Sequence, residues 1–196
     1  MKNNTAKKIT FSAIMIAMST ILSLITIFKL PLGGAITPFS MLPVCLISIV
    51  FGVKFAVVPC ILYGVIQMMT GGVFGWGLSP IILIASICLD YLIAFGVLSL
   101  SGVFRKKGYK GAVSGIFFAC VLRFICHFIS GFVLWSNMEQ FTMFGNTFVS
   151  KPVLYSLCYN GLYMLPETVL TCIGAIIILK IPAFKKNIRQ YFNISL

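Results

Sequence analysis

The chain has 196 residues, 60% of them hydrophobic and 9% charged, with 15 lysines and arginines against 3 acidic residues and a formal net charge of +12. A mean hydropathy of +1.07 excludes the composition of a soluble globular domain. The apolar segments are too long and too numerous for one soluble core, and they lack the alternation of barrel strands, so the chain is expected to be an all-α integral membrane protein.

Six spans are predicted in a single transmembrane domain over residues 1–196, at 9–28, 39–51, 55–70, 78–104, 112–135 and 153–179, with a basic cytoplasmic tail at 180–196. Crossing about 30 Å of hydrocarbon takes about 20 residues of helix. The second and third spans fall short of that and are separated only by Gly52, Val53 and Lys54, which predicts a tilted or partly re-entrant pair and leaves five or seven crossings open. The apolar stretch after Lys2, Lys7 and Lys8 is too long for a signal peptide and has no small-residue cleavage site, so the first helix is expected to stay attached.

The positive charge is distributed by side. With six crossings, Lys2, Lys7, Lys8, Lys54, Arg105, Lys106, Lys107, Lys110, Lys180, Lys185, Lys186 and Arg189 all fall at one membrane face, and only Lys29 and Lys151 at the other. That asymmetry predicts a multi-pass plasma-membrane protein with both termini cytoplasmic, and it explains the basicity without nucleic acid. The basic tail at Lys185 to Arg189 can meet anionic headgroups, although a solvated topology signal is the simpler account and the one expected. The 7 cysteines are scattered singly through the spans without metal-ligand spacing, and no metal or cofactor is expected. No phosphate-binding or hydrolase motif occurs.

The first outer loop, LPLGGAITPFSM, and the second, GGVFGWGLSP, both bend at glycines, and the second offers Trp76 as a lid over a bound ring. Asp90 follows, inside the apolar run Ile81 to Leu100. A charge at bilayer depth is expensive, so an intramembrane carboxylate is read as functional, with a ligand cation as its natural partner. In the fifth span Arg123, His127, Gly131 and Trp135 recur every fourth residue. This makes a drifting stripe about 18 Å long. Gly131 either lets a flat ring slide against the backbone between imidazole and indole, or admits a neighbouring helix. In the sixth span Tyr155, Tyr159, Asn160, Tyr163 and Glu167 cover adjoining surface. Asn160 both donates and accepts, the tyrosines also suit an interfacial belt, and Glu167, after Pro166, is expected to be structural and paired with Arg123.

KLPLGGAITPFSMLP after the first span, LDYLIAF at 89–95, RFICHFISGFVLW at 123–135 and YSLCYNGLYMLPE at 155–167 together resemble the thiamine-specific S component of energy-coupling factor (ECF) vitamin transporters. The resemblance covers nearly the whole chain. It implies a six-transmembrane-helix bundle of the ECF S-component type that binds thiamine from outside and works with a transmembrane coupling subunit and two cytoplasmic ATPases. It assigns substrate binding to Asp90, Tyr91, His127, Gly131, Trp135, Tyr155 and Asn160, and contact with the coupling subunit to Ala13 and Ala17. Aromatic faces suit a thiazolium cation, while carboxylate, imidazole and amide suit an aminopyrimidine. Some members carry Glu where Asp90 stands, and some carry a Trp in the first outer loop, where this chain has none between Phe28 and Met41.

The expected function is therefore capture of thiamine for ATP-driven uptake, without catalytic residues and without dependence on phosphate groups. The alternative within transport is another flat vitamin or the precursor hydroxymethylpyrimidine. From other classes stand an intramembrane enzyme using Asp90 and His127 as acid and base, and an assembly subunit that binds nothing small.

Overall fold

Apolar side chains cover the outside of this molecule as well as its centre: Ile21, Val58 and Ile81 expose 62%, 72% and 81% of their surface. A polypeptide that turns isoleucine outward along whole helices has hydrocarbon for a solvent. The computed structural model describes residues 2–30, 33–134, 142–143, 146–147 and 151–192.

Four helical units span the bilayer by length: α1 (Lys2–Leu24), α3 (Val53–Thr70), α6 (Gly108–Val133) and α7 (Pro152–Lys180). A fifth is composite, with α4 (Pro80–Ser86), a π-helical stretch Ile87–Ile93, α5 (Ala94–Gly96) and a 3-10 stretch Val97–Gly102 running end to end. A single turn at Arg105–Lys107 and Gly108, at φ 69°, then reverses the chain, so α6 runs back along the 3-10 stretch. The sixth, α2 (Leu42–Phe51), has 10 residues, and all of those from Leu42 to Val50 are buried. It rises only about 15 Å. The architecture is the six-helix membrane bundle the sequence predicts.

Several boundaries move. The first helix stops at Leu24 rather than 28, because the β-branched Ile25, Thr26 and Ile27 favour extended backbone. There β1 (Phe28–Lys29) pairs antiparallel with β2 (Ala35–Ile36). Between the second and third helices Gly52 sits at φ 93°, a turn closed to other residues, and the Arg105 guanidinium packs against it. Arg105 Nη1 donates to Ile49 O at 3.2 Å and Val50 O at 2.8 Å, satisfying orphan carbonyls at the end of α2. The fifth span runs from Gly108 to Val133 rather than 112–135.

The segment expected as a basic tail contains an amphipathic helix, α8 (Pro182–Phe192). Ile188 is buried, Phe192 meets the rings of Phe11 and Phe51 at 5.5 and 4.9 Å, and Lys185, Lys186 and Arg189 face outward. The fold therefore has a basic end, where α8 lies, and a loop end, where α1, α3, α6 and α7 open into the connections that enclose the site. A second short hairpin, β3 (Thr142–Met143) with β4 (Asn146–Thr147), belongs to the loop end.

Candidate functional site

At the loop end a cavity of about 330 Å³ is enclosed by the ends of α1 and α3, both glycine-bearing loops, the fourth crossing, α6 and α7. Small-molecule sites begin at about this size, ~300 Å³. Asp90, Tyr91, His127, Gly131, Tyr155, Asn160 and Trp76 all line it. Trp135 lies outside the described residues.

Asp90 sits in the π-helical stretch Ile87–Ile93, a wide turn of the kind that recurs at functional sites. Its carboxylate is held from two helices. Ser86 and Ser130 donate to Oδ2 at 2.8 and 2.5 Å, and His127 Nδ1 lies 3.0 Å from Oδ1. Burial of a carboxylate is tolerable when its lone pairs are engaged in this way. Across the α6–α7 seam, Asn160 Nδ2 donates to His127 O at 3.1 Å and to Ser156 O at 3.0 Å, while its Oδ1 accepts from Tyr163 at 3.0 Å. The amide expected to read a ligand edge thus bonds to its own protein at both ends.

Gly131 lines the cavity and also packs closely against α7. A Cβ there would lie 2.3 Å from Ser156 Oγ and 2.9 Å from Asn160 Nδ2, so α7 occupies the space that a flat ring was one candidate to fill. Deeper in, Arg123 and Glu167 form the expected ion pair, with Nη1 and Oε2 3.6 Å apart. The guanidinium also covers the Phe95 ring at 4.2 Å to the centroid. Glu167 Oε1 accepts from Thr37 N at 3.0 Å and from Thr37 Oγ1, and Tyr159 OH accepts from Gly34 N at 3.0 Å. The first loop is thereby tied to α7 at two points. Trp76 reaches across from the second loop, and a Cβ on Gly33 would lie 3.0 Å from its indole, so the two loops meet beside the cavity.

Among the described residues the buried side-chain polar atoms without a hydrogen-bond partner are Ser19 Oγ, Arg123 Nε and His127 Nε2. Two of those three residues line this cavity. The residues the sequence reading missed are the serines, Ser86, Ser130 and Ser156. The first two had a findable signal, since Ser86 stands four residues before Asp90 and Ser130 three after His127, on the same helical faces. Ser156 had none, because its role depends on how closely α6 approaches α7.

Comparison with known proteins agrees on one family. The family described as "Thiamine transporter protein" matches residues 9–188. The thiamine transporter ThiT of Bacillus subtilis (strain 168) is 33% identical over 176 residues, covering 82% of this chain and 84% of the relative. A solved structure of ThiT from Listeria monocytogenes superposes with a TM-score of 0.69 at 24% identity, covering 96% of this chain and 98% of that one, and shares its fold.

Proposed function

The chain belongs to the thiamine transporter protein family, and from that premise we propose that it is the membrane subunit that captures thiamine at the loop end for ATP-driven uptake by an ECF-type complex. The observation that carries this reading is the single cavity in which the intramembrane carboxylate, the imidazole and aromatic side chains meet. Imidazole, amide and carboxylate suit the aminopyrimidine, and the faces of Tyr155, Trp76 and Trp135 suit the thiazolium cation. Trp76 serves as a lid in place of the aromatic that some relatives carry in the first loop. The twelve cations gathered at the other end support a cytoplasmic placement of both termini and an outward-facing site.

Titration of the purified protein decides the substrate. Thiamine is expected to bind at nanomolar concentration and riboflavin and biotin not to compete; micromolar or weaker thiamine binding rejects the assignment. Hydroxymethylpyrimidine is a second reading, favoured by one observation: Asp90 is already bonded to Ser86, Ser130 and His127, so the cation gains less from it. Precursor binding as tight as that of thiamine supports that alternative.

Energy must come from partners, a coupling subunit and two ATPases. Ala13 and Ala17 are exposed on α1 beside Ile14, Met18 and Ile21, a small-residue face that a partner helix can approach closely. Ala13→Leu with Ala17→Leu is expected to abolish thiamine uptake in cells while leaving the affinity of the purified subunit unchanged. Uptake at the parental rate removes α1 from the coupling interface.

A further inference from the structure

We propose that Asp90 acts on the ligand through His127: the carboxylate fixes the imidazole as the Nδ1–H tautomer, so that Nε2 presents a bare lone pair to an amino group on a flat heteroaromatic ligand. This rests on the thiamine-site reading and changes the part Asp90 plays in it, from contacting residue to positioning residue.

The carboxylate is spent within the protein. Oδ2 accepts from Ser86 at 2.8 Å and Ser130 at 2.5 Å, and Oδ1 faces His127 Nδ1 at 3.0 Å. A group accepting from two hydroxyls acts as an acceptor toward its third neighbour as well, and an acceptor facing Nδ1 requires the proton there. In the neutral ring Nε2 is then an acceptor. That atom is buried, has no partner among the described residues, and belongs to a cavity-lining side chain only 11% exposed.

The Tyr163 ring stands edge-on to the imidazole at 6.1 Å and 67°, and Asn160 Nδ2 donates to the backbone carbonyl of His127 at 3.1 Å. A buried lone pair without a donor is a costly vacancy, and the group that relieves it is an N–H rather than a carbonyl or carboxylate. An exocyclic amine beside a ring nitrogen meets that demand. A ligand lacking the amine leaves the lone pair bare.

His127 is the only histidine in the chain, so nitrogen-15 histidine labelling reports this one ring in nanodiscs. Two-bond proton–nitrogen correlation spectra of the unliganded protein are expected to show a proton on Nδ1 and none on Nε2. Thiamine should move the Nε2 resonance to that of a hydrogen-bonded acceptor without protonating it. Asp90→Asn keeps an acceptor oxygen toward Nδ1, so it should preserve the tautomer and lose no more than about threefold in thiamine affinity, whereas Asp90→Ala mixes the tautomers and loses roughly tenfold or more.

Both losses should be equal for thiamine and for an isostere whose thiazolium is replaced by an uncharged ring. A proton on Nε2 in the unliganded parent overturns the proposal, as does an Asp90→Asn loss much larger for thiamine than for the neutral isostere, which would mean that the carboxylate meets the cation directly. Should the parent fail to bind thiamine, the functional reading falls, and the unliganded spectrum still decides the tautomer. Should Asp90→Ala fail to fold, the parent and Asp90→Asn measurements suffice.

Discussion

Glu167→Ala lowers the unfolding temperature of the detergent-solubilised protein by about 10 °C, the consequence of leaving one member of a buried ion pair uncompensated at about 3–5 kcal/mol. Glu167 and Arg123 are 3% and 8% exposed, too deep for water to screen either charge once its partner has gone. Removing the carboxylate also strips the acceptor from Thr37 N and Thr37 Oγ1, so the first loop loses its lower tie to α7. Arg123→Met is expected to cost less. In that variant Glu167 keeps both Thr37 donors, and the thioether fills apolar space against Phe95 and Met41, which the guanidinium now covers. The double variant Arg123→Met with Glu167→Ala should unfold well above Glu167→Ala alone, because charges removed together leave no uncompensated charge, although Thr37 still lacks its acceptor. Thermal melts of the four proteins check this, and additive losses would show that the pair is not coupled.

The same residues show what was legible from the chain alone. Asp90 stood out because a carboxylate in an apolar run has no cheap explanation, and the four-residue recurrence of Arg123, His127 and Gly131 placed them on one face, because helical periodicity is a local property. The Arg123–Glu167 pair was likewise readable, as two buried opposite charges in a chain with few acids. What could not be read depends on distance between elements. Gly131 packs against Ser156 of α7, and no spacing within α6 reveals that contact. The π-helical turn around Asp90 arises without Gly or Pro between Ile87 and Ile93, so no local residue announces it. α2 reads as a short span by composition, and only the packing around it shows a helix enclosed from Leu42 to Val50. α8 was available in principle, since Phe184, Ile188 and Phe192 recur every fourth residue, but its lysines and arginine read equally as a charged tail.

Gly131→Ala is expected to weaken thiamine binding about 30-fold, and Ser156→Gly to restore much of it, by the free energy of overpacking a tight helix contact, ~2 kcal/mol. The added methyl would lie 2.3 Å from Ser156 Oγ, and that hydroxyl cannot swing aside freely, because it donates to Phe128 O at 2.6 Å and also bonds Asn160 Nδ2 at 3.1 Å. The helices must therefore separate. Because Asn160 reaches from α7 to the carbonyl of His127, separation disturbs the imidazole as well as the cavity wall. Gly131→Ala with Ser156→Gly removes the obstructing hydroxyl and Cβ and leaves only Asn160 Nδ2, 2.9 Å from the added methyl, to shift, so α6 and α7 can close most of the way again at the cost of the Ser156 hydrogen bonds. If Gly131 were bare in order to receive the ligand ring, the methyl would block thiamine whatever stood at 156, and the second substitution would recover nothing. Calorimetric titration of parent, Gly131→Ala and the double variant separates the two roles of this position.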